Sequence, residues 1–109
     1  MSFIESINRI FSDKPRAFFI NEGSENCKKE IDIVKSMNFD VDKFSTFNKL
    51  LYTLRSNSRG KYNVGIIHEN GSKYSPQILS TFIKQIDPTI KIIVYKNEYD
   101  LKKESQLLI

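Results

Sequence analysis

The 109-residue sequence predicts an α/β fold: a three-layer α/β/α sandwich on a parallel sheet of four or five strands. Three observations predict it. Short apolar runs (Arg16 to Ile20, Val64 to Ile67, Ile90 to Tyr95) are too brief for helices and suit buried strands. Longer stretches between them carry apolar residues at helical spacing. Turn and breaker residues, such as Asn21-Glu22-Gly23-Ser24 and Asp87-Pro88, separate the two kinds.

Taken in order, Ser2 and Glu5 form a capping box that opens a helix. Phe3, Ile4, Ile7, Ile10 and Phe11 make its apolar face, and Ser12-Asp13-Lys14-Pro15 ends it. The strand Arg16 to Ile20 follows. Ser24 or Asn26 can cap the next helix, in which Cys27, Ile31, Val34 and Met37 share a face. Phe39 to Phe44 mixes Val and Phe with acids and a lysine, the composition of a strand near a sheet edge. Thr46 caps a helix with Phe47, Leu50, Leu51 and Leu54 at i, i+3, i+4 and i+7, and Gly60 closes it in the left-handed conformation. After Val64 to Ile67 comes a polar loop from His68 to Tyr74. Ser75-Pro76 then starts a helix carrying Ile78, Leu79, Phe82, Ile83 and Ile86. Ile90 to Tyr95 is the fourth strand, and Asp100 caps a last short helix through Lys103 to Leu107.

Composition narrows the function classes. The hydrophobic share of 39% and charged share of 28% are those of a globular protein. The apolar runs are far too short to span a bilayer, and the N-terminus lacks a secretory pattern. One cysteine excludes an internal disulfide framework and fits a reducing, cytoplasmic setting. One cysteine with one histidine argues against a structural zinc site, so no metal and no cofactor is expected. The net charge of +4 is dispersed: ten Lys and Arg against eight Asp and Glu up to Gly60, then seven against five. No basic stripe or RNA-binding aromatic signature emerges, so no nucleic-acid partner is expected.

In an open parallel sheet, ligands bind beyond the carboxyl ends of the strands. Here those ends are Asn21-Glu22, His68-Glu69-Asn70 and Lys96-Asn97. Over about residues 16 to 97 the order of elements resembles the receiver domain of response regulators in two-component signalling, a flavodoxin-like fold. RAFFINEGSENCKKEIDIVKSMNFDVDKFST looks like a receiver's first strand, acidic turn, first helix and second strand. NVGIIHENGSKYSP looks like its third strand and following loop, and KIIVYKN like its fourth strand. The resemblance implies an acid pair holding magnesium after the first strand, a phosphoacceptor aspartate after the third, a hydroxyl residue after the fourth and a lysine after the fifth. Asn21 and Glu22 stand at the acid pair, His68 at the aspartate and Lys96 at the hydroxyl residue; the lysine has no counterpart. A single carboxylate beside an imidazole and an ammonium group makes a poor magnesium site.

The expectation is a degenerate pseudo-receiver, non-catalytic, acting as a protein-interaction module in signalling or regulation. An ion pair from Lys96 to Glu22 or Glu69 would lock it in one conformation. Glu69, Asn70, Tyr74, Tyr95 and Tyr99 fall near the loop end of the sheet and offer contact area for a protein partner. Cys27 is expected as a small buried core residue. The N-terminal helix, residues 1–12, covers apolar surface beside the first strand or forms a homodimer contact. A phosphotransfer receiver using Glu22 or His68, and a small ligand-binding or enzymatic domain, stay open as alternatives.

Overall fold

In the computed structural model of this chain, the described residues are 14–22, 27–56 and 60–106. The N-terminal helix, the caps proposed at Ser24 and Asn26, and Leu107 lie outside them. Eight elements alternate: β1 (Arg16–Ile20), α1 (Lys28–Ser36), β2 (Asp40–Phe44), α2 (Phe47–Ser56), β3 (Val64–His68), α3 (Pro76–Ile86), β4 (Lys91–Tyr95) and α4 (Glu98–Gln106). The four strands form one sheet in the order β2-β1-β3-β4, parallel throughout. This is the flavodoxin-like three-layer sandwich that the alternation of strands and helices predicts.

Strand sequence dictates which face is buried. β1 and β3 lie inside the sheet under helices on both faces, so RAFFI and VGIIH are apolar without alternation. Ala17, Phe19, Val64, Ile66, Ile93 and Tyr95 point to one face, where Val34 of α1 and Leu101 of α4 pack on them. Phe18, Ile20 and Ile67 point to the other, against Phe47 and Leu50 of α2 and Leu79 and Ile83 of α3. Phe18 and Ile67 are completely buried, each contributing roughly 1.5–3 kcal/mol by transfer from water. Gly65 makes room for Phe18: a Cβ there would press into its ring, 2.8 Å from Cε1.

Helix ends follow their capping residues. Thr46 accepts the Lys49 N–H (3.2 Å) and Ser75 accepts the Ile78 N–H (3.2 Å), with Pro76 at the first helical position. Gly60 takes the left-handed conformation expected of it, with φ at 82°. The last helix differs from expectation by starting at Glu98. Its cap is Asn97, whose side chain accepts the Asp100 N–H (2.9 Å), while Asp100 reaches back to accept the Lys96 N–H (3.0 Å). The arrangement is related to a capping box, with Asn and Asp in place of the usual Ser and Glu and the second bond taken by the residue before the cap.

At the amino end of the strands, Arg16 is held by Asp42 (Nη2 to Oδ2, 3.0 Å) and lies 5.0 Å above the Tyr62 ring. The Tyr62 hydroxyl donates to the same carboxylate oxygen (2.6 Å). Among the described residues no helix is long and apolar enough to cross a membrane.

Candidate functional site

The helices after β1 and β3 leave for opposite faces of the sheet, so the chain direction switches between these two neighbouring strands. A shallow crevice of about 420 Å³ opens above their carboxyl ends, lined by Glu22, Asn70, Gly71, Ser72 and Lys73. This is the position at which an open α/β sheet binds ligands.

Backbone chemistry already spans it. The Glu22 N–H donates to the Gly71 carbonyl (2.6 Å), tying the loop after β1 to the loop after β3. Gly71 is buried, and a Cβ on it would lie 3.0 Å from His68 Cβ and 3.4 Å from Asn21 Oδ1, so glycine permits that approach. One Glu22 carboxylate oxygen accepts the Ser72 hydroxyl. The other accepts the Phe47 N–H (3.5 Å) at the start of α2, where a helix favours negative charge. Glu22 therefore joins β1, α2 and the β3–α3 loop.

His68 ends β3, half-buried, and both ring nitrogens meet main chain. Nδ1 accepts the Asn70 N–H (3.0 Å), which leaves the proton on Nε2, 3.1 Å from the Lys96 carbonyl it bonds. Its ring stands edge-on to Tyr95, with centroids 5.0 Å apart. Above the sheet's other half, Asn21 donates through Nδ2 to Cys27 Sγ (2.8 Å), both side chains buried. Cys27 is thus a buried residue, as its place on the apolar helix face implied.

The structure brings Asn21, Glu22 and His68 to one end of the sheet with Gly71 and Ser72. Lys96 joins through its backbone, and among the described residues its ammonium group forms no ion pair with Glu22 or Glu69; the expected lock is absent. For Glu22 the reason is occupancy, since its two carboxylate oxygens accept from Ser72 and Phe47; Glu69 is tied to β4 through its main chain, its N–H donating to the Tyr95 carbonyl (2.8 Å). Tyr95 also departs from expectation as contact surface. It is 1% exposed, because residue 95 points to the covered face and packs on Phe19. Tyr74 and Tyr99 are exposed, as is Asn70, and Glu69 is half-buried.

A magnesium ion of the kind a receiver holds does not fit these residues. Its hard-oxygen ligands would have to include Glu22, whose two oxygens accept an O–H and an N–H, beside an amide and an imidazole engaged elsewhere. Among the described residues no three His, Cys, Asp or Glu side chains cluster to hold a metal. Two contributors stand outside the residues singled out from the sequence: Ser72 and Gly71. The glycine three residues beyond a buried strand was the available signal, marking a point of close backbone approach. Searched against family models and against curated proteins, the sequence matches none significantly.

Proposed function

We propose that this chain is a receiver-like scaffold without chemistry of its own, a protein-interaction module in signalling or regulation, working in the cytoplasm. The supporting observation is the bonding at the crevice. Every polar side chain standing where receiver chemistry would need a ligand or acceptor bonds another part of the same domain. Glu22 and His68 act as braces between loops, and a brace that must release its partners to bind phosphate loses those bonds first. Exposed Tyr74 and Tyr99 beside this end provide the aromatic contact area that protein interfaces favour.

Magnesium with beryllium fluoride, a phosphoryl mimic, tests the reading by amide NMR. The expected result is unchanged resonances for Glu22, Gly71 and Ser72. Saturable shifts at those three amides would overturn it in favour of phosphotransfer through Glu22 or His68.

A further inference from the structure

The outer edge of β4 is built for a strand that the described residues do not supply. The Lys91 N–H donates to the Asn63 carbonyl (3.0 Å) and the Tyr95 carbonyl accepts from Glu69 (2.8 Å), so both residues face β3. Backbone groups alternate sides along a strand, so Ile93 faces β3 as well. Ile92 and Val94 therefore direct their N–H and C=O groups away from the sheet. Their side chains share the face carrying α3, where a groove lined by Gln77, Ser80, Lys84 and Glu104 leaves Val94 40% exposed. An edge whose outward residues are uncharged and β-branched, with donors and acceptors unpaired among the described residues, is a template for pairing.

We propose that this edge pairs with β4 of a second copy of the chain, antiparallel about a two-fold axis at Ile93. The two outward residues stand symmetrically about Ile93. Antiparallel pairing sets Ile92 opposite the second copy's Val94, and each such pair exchanges two hydrogen bonds. All four outward groups on each strand are then used, and Ile92 and Val94 close an apolar seam in the groove. Charge selects the same direction. The base of the edge carries Lys84 and Lys91 with Glu104, and Lys61 beside Asp87 just before the strand; the top carries Glu98 and Asp100 with Lys96. Antiparallel copies set the net positive end against the net negative one, and parallel copies would oppose like charges. The pairing joins two four-stranded sheets into one of eight, and it holds whether or not the crevice binds phosphate.

Sedimentation analysis and amide hydrogen exchange of the full chain test it together. The expected result is a reversible dimer in the micromolar range, with the Ile92 and Val94 amides gaining protection as concentration rises. Val94→Pro removes an outward N–H and no bond of the β3–β4 ladder, so it leaves the fold intact and weakens association on the order of 100-fold. Val94→Lys acts in the same direction by placing a charge in the seam. Three results would overturn the proposal: a monomer at every concentration, a dimer insensitive to both variants, or protected Ile92 and Val94 amides in a monomer. The last would mean that the chain's own residues cover the edge.

Discussion

The two outer strands of the sheet share a backbone arrangement and differ in how their side chains treat it. In β2, the Asp40 N–H donates to the Pro15 carbonyl (2.9 Å) and the Phe44 carbonyl accepts from Asn21 (3.3 Å), so Val41 and Lys43 present the outward groups. A two-fold pairing there would centre on Asp42 and set two carboxylates opposite each other, which is destabilising. Lys43 adds an exposed charge on the open side, and Asp40 and Asp42 are tied inward by Lys14 (3.6 Å) and Arg16 (3.0 Å). β4 has isoleucine at the corresponding centre and charge only beyond its middle residues. A parallel sheet leaves two such edges whatever its sequence, and a few side chains decide which one is closed to a partner.

Removing the guard on β2 should have the largest effect. Asp42→Val deletes the partner of Arg16 and leaves the buried Tyr62 hydroxyl without its acceptor carboxylate. A loss of about 2–4 kcal/mol is expected in urea unfolding, together with new concentration-dependent association. Association unchanged from the wild type would show that the acids of β2 guard nothing, and unchanged stability that the bonds to Arg16 and Tyr62 hold nothing. Gly65→Ala comes next, at about 1–3 kcal/mol, because its Cβ crowds Phe18 and lies 3.0 Å from Ile92 Cδ1. Hydrogen exchange should accelerate more in β4 than in β2; equal acceleration would mean that the two edges are held alike.

The element order, the sandwich and the edge position of β2 were legible in the sequence, because apolar periodicity and capping residues are local signals. The polar edge was visible in DVDKF, and the apolar one in KIIVY. Which residues would stand at the carboxyl ends of the strands was equally legible, since strand ends follow from strand limits. What those residues bond was not. His68 meets an N–H and a carbonyl belonging to two different loops, and Glu22 meets Ser72, fifty residues away. Such partners are decided by tertiary packing, and no spacing announces them. Tyr95 shows the same boundary: its place beside the loop end suggested exposure, while the alternation of KIIVY sends it to the covered face.

Smaller effects probe how firmly β4 is held at its two ends. His68→Ala removes both ring bonds and the contact with Tyr95 at the top, and about 1–2 kcal/mol of stability should be lost. The NMR signals of residues 95–97 should broaden or shift more than those of β2; uniform shifts would deny His68 its bracing role. At the base, just before β4, the hydroxyl and N–H of Thr89 hold the Asp87 carboxyl below its ordinary range against the opposing effect of burial, with a lesser contribution from Lys61. A carboxyl depressed in the folded state stabilises above its unfolded pKa, and that contribution fades as pH falls through the folded value. Thr89→Val should therefore flatten the loss of stability below about pH 4, a small change visible in urea midpoints. An unchanged acid limb would remove Asp87 from the account.

Because His68 reads main chain on both sides, the identities of Asn70 and Lys96 carry none of its binding. Their side chains are free to drift while the N–H of one and the carbonyl of the other stay where the fold puts them. A library randomised at positions 70 and 96 should keep the fold with nearly every residue. Proline is the exception at both, since residue 70 must donate to the ring and residue 96 to Asp100. A protein braced in this way can repaint the surface around its central histidine without disturbing the histidine itself.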